Sequence, residues 1–428
     1  MDEVATIKSF SERLIAAQRP VRILESVRWT GDVQDAFFRS GADALPKVDR
    51  AWYQNRPLGF DAANMLGGFA DLERDIAGSL GSEHPAGAIL LRMCEEYGDA
   101  VRMLELRGLP EFCDLSKKLF GSTKDALHSG EPTLAEFGRK IKAALDRIEP
   151  CMNTRDPADD DTISGTDAAR ILGDNLTKSM GCHGEHPTVI ADDGITADAA
   201  AGAKVIKLRL DATFSMRELR LLEVHEGWVH VGTTLNGHAQ TTCHFLSKGT
   251  PSATITQEGL AVLTEIVSFS SSPARQRRIN NRILAVGMAE DGADFLEIYR
   301  FFAGQGFSKD ESFQFAARVF RGSTPDGLPF TKDIAYTKGF VLLYNFLRAA
   351  VNSGELDLIP LVFCGKVVLE DVGRLRELLG RKLLEPPAFV PQPYADLHGL
   401  AAWMCYDSVL ADFGSEPLQQ NFKKVFQS

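Results

Sequence analysis

The chain reads as an α+β protein that is predominantly helical, and three observations lead there. Apolar residues recur at helical spacing, as in the stripe Ile89, Met93, Tyr97, Val101 and Leu104. Helix-start signals recur as well, with Thr133 three residues before Glu136 and Ser215 three before Glu218. Strand-like alternation is confined to a middle region, where Ile206, Leu208 and Leu210 fall on one face.

Composition bounds the partners more than the fold. Hydrophobic residues make up 44% and charged residues 25%, the proportions of an ordinary globular protein. Lys and Arg number 47 against 58 Asp and Glu, a formal net charge of −11 with no long basic run. That balance argues against nucleic acid as a main partner. Met1-Asp2-Glu3-Val4 opens a polar, acidic stretch, so no signal peptide is expected. No window stays apolar for the ~18 residues a membrane span requires. The 7 cysteines are scattered without a C-x-x-C pair. Reduced thiols and a cytoplasmic location are the expectation.

Taken in order, residues 1–150 form an N-terminal helical region. Glu3–Ala17 is a short amphipathic candidate, and Pro85 suits the first turn of the helix that carries the apolar stripe. Leu115–Phe120 ends before Gly121, a C-terminal cap, and Thr133 starts a helix running through Leu145. Residues 151–164, with Pro157 and the run Asp159-Asp160-Asp161, read as an exposed linker. Residues 165–428 form the second domain. Thr188–Ala191 and Lys204–Leu210 are its strands, and Ser215 launches a helix through His225 to His230 that ends near Gly232. Ala239–Thr254 reads as a mostly polar loop before a helix that begins near Thr256. Glu311–Phe320, Ala335–Ala350, Val372–Leu379 and Leu397–Leu410 are the later helices.

The stretch His225-Glu226-Gly227-Trp228-Val229-His230, followed by Thr256-Gln257-Glu258-Gly259-Leu260-Ala261, carries the chemistry. Catalytic zinc takes three protein ligands and keeps an open position for water. A strand, a helix with two histidines and a later helix with a carboxylate is the order used by zincin-like catalytic parts. The spacing is His-Glu-x-x-x-His, one residue longer than the common pattern. In an α-helix five residues rotate a side chain about 500°, which leaves the second imidazole roughly 140° off the face of the first. An inserted π-bulge restores the shared face, and the spacing predicts one between His225 and His230, eased by Gly227. Glu226 then points at the metal-bound water as general base, and Glu258 is the natural third ligand. Glu265, two turns beyond Glu258, is placed to accept a hydrogen bond from a ligand imidazole. The bland alternative is a pair of satisfied histidines on a core helix. Glu258 in a strongly apolar segment weighs against it, because a buried carboxylate needs a partner.

These residues carry a resemblance. HEGWVH followed by TQEGLA resembles the QEGLA-motif proteins of bacteria, which are related to the microtubule-associated tyrosine carboxypeptidases. Those are zinc enzymes that trim the C-terminal tyrosine of α-tubulin, with the same spacing and a glutamate of the E-G-L-A segment as third ligand. The resemblance implies one Zn2+ on His225, His230 and Glu258, with Glu226 as catalyst. Arg22–Trp29 and Phe330–Tyr336 also look like family stretches.

A carboxypeptidase must neutralise a terminal carboxylate and stabilise an oxyanion. Arg318, Arg321, Lys332 and Tyr336 cluster around the loop Gly322–Pro329. Lys332 in the first turn of a helix opposes the macrodipole, a placement that makes sense if it serves an anion. Arg321 and Lys332 are therefore the candidates for the carboxylate, with Arg318 beside them, and Tyr336 for the oxyanion. Solvated surface is the competing explanation. Cys182-His183-Gly184-Glu185-His186 lacks a second ligand pair and reads as a polar loop, as do the surroundings of His238 and His244. The leading function is a zinc metallopeptidase that removes a C-terminal residue from a peptide or protein. A zinc amidohydrolase of a small peptide-like metabolite and a non-catalytic regulatory binding protein stand as alternatives. Oligomeric state is not readable.

Overall fold

A computed structural model describes residues 2–128, 132–148, 162–181, 186–194 and 198–412. The chain is predominantly helical with two small sheets, an α+β arrangement. Pro85 begins the helix Pro85–Glu105, and the His84 ring accepts hydrogen bonds from the free N–H groups of Ala86 and Gly87. All five residues of the apolar stripe are buried. Around Ile89, Met93, Tyr97 and Val101 gather Ile7, Phe10 and Leu14 of Glu3–Gln18 and Phe69, Leu72 and Ile76 of Ala62–Ser79. The same core contains Leu260 and Leu263 of Pro251–Val267 and Leu343 and Leu347 of Ala335–Asn352. The N-terminal helices thus pack against the helix that bears Glu258. Each such fully buried Leu or Phe is worth about 1.5–3 kcal/mol relative to exposure.

Two further cores brace the remaining sides. Phe295 lies 5.6 Å from Trp29, 5.4 Å from Phe37 and 5.3 Å from Phe313 between ring centroids. This aromatic cluster backs the helix Pro273–Glu290 through Ile283 and Val286. On the other side, Ala168, Leu172 and Leu176 of Gly165–Met180 pack on Ile206, Leu208, Val231 and Leu235.

Among the described residues, five short strands make the sheets. β1 (Ile163–Ser164) pairs antiparallel with β5 (Thr213–Phe214). β2 (Thr188–Asp192) runs parallel to β4 (Val205–Arg209), and β3 (Ala199–Ala201) lies antiparallel on the other edge of β4. β1, β3 and β5 escape sequence reading because two or three residues cannot display an alternation. Leu210 does not share the buried face of Ile206 and Leu208. The strand ends at Arg209, and Leu210 is 46% exposed.

Helix starts follow the sequence closely. Ser215 and Glu218 form a reciprocal capping box, Thr133 and Glu136 exchange the same two bonds, and Gly121 closes Glu111–Phe120 at φ 96°. The stretch 239–254 is different from the loop its polarity suggests. The histidine segment continues as the α-helix Gly232–Ala239, a 3-10 turn covers His244–Ser247, and the glutamate helix starts at Pro251 rather than Thr256. Threonines mislead here: Thr250 is the buried N-cap ahead of a proline in the first turn, and Thr256 is buried inside the helix. The acidic run Asp159–Asp161 and residues 182–185 lie outside the described residues. Among the described residues, no helix is long and apolar enough to cross a membrane.

Candidate metal centre

The histidine segment is a π-helix over its whole length, Glu223–Val231. With hydrogen bonds from residue i to i+5, five residues make roughly one turn. His225 and His230 therefore fall on one face, their ring centroids 4.8 Å apart and their planes at 82°. The Gly232 N–H donates back to the Gly227 carbonyl, the five-residue step of that ladder. Gly227 lets Leu176 of the flanking helix approach closely, since a Cβ there would sit 2.4 Å from one of its methyls.

Carbonyls displaced where the π-helix becomes an α-helix find side-chain donors. Thr233 Oγ1 donates to the Val229 carbonyl at 2.6 Å and Thr234 Oγ1 to that of His230 at 2.8 Å. Lys366 Nζ also donates to the His230 carbonyl at 2.8 Å, and to Thr233 Oγ1 and Gln257 Oε1 at 3.1 and 2.9 Å. Burial pushes the Lys366 ammonium down to about 7 against the pull of Glu258 and Glu226. Lys366 thus ties the π-helix to the glutamate helix beside Glu258. Nothing in the sequence marks it, because its partners lie more than a hundred positions away.

Glu258 enters from Pro251–Val267. Its Oε2 is 3.8 Å from His225 Nε2 and 3.7 Å from His230 Nε2. One ligand atom from each of these three residues lies within 4.8 Å of the others, the only such group among the described residues. Burial opposes the charge of Glu258. His230, Lys332 and His225 nonetheless hold its carboxyl well below the ordinary carboxylate range. Gly259 lets this helix touch Ala335–Asn352, where a Cβ would lie 2.1 Å from the Gly339 backbone.

Glu265, fully buried two turns further on, accepts a hydrogen bond from His225 Nδ1 at 2.7 Å. Arg275 donates to the same carboxylate at 2.8 and 3.3 Å. Burial would raise the Glu265 carboxyl, but His225 and Arg275 hold it at about 2. An ionised carboxylate only accepts, so the shared proton sits on Nδ1, and Nε2 is the ring nitrogen that faces Glu258. Burial lowers the proton affinity of His225; the bond to Glu265 and the charge of Glu226 outweigh it and raise it above the usual histidine value. Glu226 Oε1 lies 4.0 Å from His225 Nε2, at the edge of the three-residue group.

The model of the microtubule-associated tyrosine carboxypeptidase family matches residues 35–412. The chain belongs to that family. Membership brings carboxypeptidase-type activity and peptide or protein substrates as the class of chemistry. No curated protein matches the chain.

The other candidate residues of this family member occupy varied surroundings. Lys332 lies in a 3-10 turn, Thr331–Ile334, with Nζ 3.6 Å from Glu258 Oε1. The anion it meets within the protein is Glu258 itself. Arg318 grips the buried Asp333 bidentately at 2.8 and 2.9 Å, which raises its proton affinity further despite burial. Arg321 reaches Asp333 only at 3.7 Å. Tyr336 is buried, its ring flanked by Lys332 Nζ at 6.0 Å and by Arg282 Cζ at 4.5 Å. His238 and His244 line a separate cleft with Ile15, Gln18, Arg19 and Lys248. Arg275 and Arg282 are functional candidates that sequence reading passed over; their seven-residue spacing on one helix is the signal that was there.

Proposed function

We propose that this chain is a zinc-dependent metallocarboxypeptidase in which His225, His230 and Glu258 hold one ion. One observation carries the reading. Glu258 Oε2 is buried without a hydrogen-bond partner, and it faces two imidazole nitrogens at 3.7 and 3.8 Å. An acceptor left bare in this way costs about 1–3 kcal/mol or more when charged, and a divalent cation among these three atoms removes that cost. Zinc suits a set of two imidazoles and one carboxylate, and when bound it supplies Lewis-acid polarisation of a carbonyl.

The chain's own residues supply the rest. Glu226, with a side chain 14% exposed, accepts a proton from the attacking water and returns it to the departing amine. Glu265 keeps His225 in one tautomer and orientation through Nδ1. The Tyr336 hydroxyl donates to the oxyanion that develops on the scissile carbonyl. We further place the enzyme in the cytoplasm, a reading supported by the free cysteines Cys94, Cys113, Cys243, Cys364 and Cys405.

Metal analysis of the purified protein, with mass spectrometry of peptide C-termini before and after incubation, tests the proposal. About one zinc per chain and loss of single C-terminal residues are expected. Glu226→Gln should retain zinc and lose about 10²–10⁴-fold in kcat. Unchanged turnover in that variant would defeat the mechanism.

A further inference from the structure

Beside the metal centre lies a second cluster whose cations outnumber its carboxylates. Arg275 is matched by Glu265, and Arg318 by Asp333. Arg321 is left with a 3.7 Å approach to the already occupied Asp333, and its Nε is buried without a hydrogen-bond partner. Arg282 closes no ion pair among the described residues: Asp333 acts on it only through space, and its Nε and Nη1 are both buried without a hydrogen-bond partner. Such groups are costly, since an uncompensated buried charge destabilises far more than a paired one. Burial and the neighbouring Arg318 hold the proton affinity of Arg282 below the ordinary guanidinium value, and they push Arg321 down to about 10.

The placement of Arg282 gives the cluster its direction. Arg275, Ile279 and Arg282 recur at four- and three-residue steps along Pro273–Glu290, so they share one face. Ile279 packs with Tyr336 and Val262, which turns that face toward the tyrosine. The Arg282 guanidinium lies over the Tyr336 ring, and on the same ring sits Lys332, the lysine in contact with Glu258. Unclaimed guanidinium donors therefore stand one aromatic ring away from the ligand set. In a C-terminal residue the carboxylate lies only two bonds past the scissile nitrogen, so an anion site for it has to adjoin the reacting centre.

We propose that Arg282, assisted by Arg321, binds the terminal carboxylate of the peptide substrate beside the Tyr336 ring. The inference rests on the carboxypeptidase reading and assigns its substrate recognition to a residue outside the histidine and glutamate helices. The bound carboxylate supplies the counter-charge that the fold withholds. A peptide amide lacks that charge, so the site restricts the enzyme to free C-termini.

The test uses full-length protein carrying Glu226→Gln, which binds without turning over. N-acetyl-Gly-Gly-Tyr and its C-terminal amide are titrated calorimetrically into this protein and into the same protein with Arg282→Met. The free acid should bind about 10–100-fold more tightly than the amide, the range of charge-assisted hydrogen bonds. Arg282→Met should reduce the acid to the level of the amide and leave amide affinity unchanged. Arg282→Gln, similar in length and without the charge, guards against a folding defect and should act the same way. Equal binding of acid and amide, no detectable binding of the acid, or an acid preference that survives both substitutions would overturn the proposal. Failure of the underlying reading looks different: the protein with Glu226 intact then cleaves no peptide, while the Arg282-dependent preference for the acid persists.

Discussion

The two halves of the site are built with opposite deficits. In the metal half, two imidazoles and the Glu258 carboxylate converge, and an acceptor is left bare. In the arginine half, Arg282 and Arg321 keep donors that no carboxylate claims. Neighbouring charged groups are matched: Glu265 with His225 and Arg275, Asp333 with Arg318, Lys366 with three oxygens. Gln257 Nε2 and both polar atoms of Asn281 are also buried without a partner, but Glu258, Arg282 and Arg321 are the charged groups beside the site left in this way, one suited to a cation and two to an anion. Under the proposed function, this contrast would let zinc and a substrate carboxylate bind without competing for the same atoms.

The most damaging way to break the metal half is to remove a ligand. Glu258→Ala should abolish stoichiometric zinc and all measurable peptidase activity, with Arg282-dependent binding of free-acid peptide retained. Elemental analysis and calorimetry on the same sample decide this. Retained zinc would break the comparison outright.

Next in size is the helix contact on which both halves rest. Gly259→Ala drives a methyl to within 2.1 Å of the Gly339 backbone, where no flexible side chain can yield. Overpacking of this kind costs about 1–3 kcal/mol, and a backbone clash belongs at the upper end. A fall in Tm together with weaker zinc binding is expected. Lost stability with normal zinc affinity would mean that the two helices do not set the ligand geometry.

A smaller effect sharpens the comparison from within. Glu265→Gln removes the anion that orients His225 and also leaves Arg275 unmatched. Zinc affinity should fall about 10–100-fold, measured by competition with a chelator. The smallest expected effect is a pH dependence in the arginine half. Arg318, Arg282 and Arg321 more than offset the burial of Asp333 and hold its carboxyl well below the ordinary value. A depressed folded value means stability that is complete above the unfolded value of about 3.9 and is lost as the pH falls toward the folded one. Asp333→Asn should therefore flatten the acid limb of a stability–pH curve, followed by denaturant unfolding. An unchanged limb would remove Asp333 from the charge balance.

Legibility of the site followed the range of the interactions. The π-helical turn is readable because its cause is local: two histidines five positions apart can share a face only if the helix widens. Glu265 is readable for the same reason, being two turns from Glu258 on one helix. The stretch 239–254 was not, since its polar residues are buried by neighbours distant in the chain. Lys332 shows the boundary between the two cases. Its opposition to the helix dipole signals an anion, but which anion depends on Gly259 and Gly339 bringing two helices into backbone contact.

By itself, then, the sequence determined the helical class, most helix starts, the three residues that converge as the candidate metal site and the widened helix between two of them. Each follows from periodicity, capping or ligand chemistry within a few turns of chain. The tertiary structure alone decided how the charges are shared. Arg318 and Arg321 both approach Asp333, yet only Arg318 closes a bidentate pair, and Arg282 is left over. Coulomb attraction favours each possible pair, and only the packing of Lys309–Phe320 and Pro273–Glu290 against the turn Thr331–Ile334 selects which of them form.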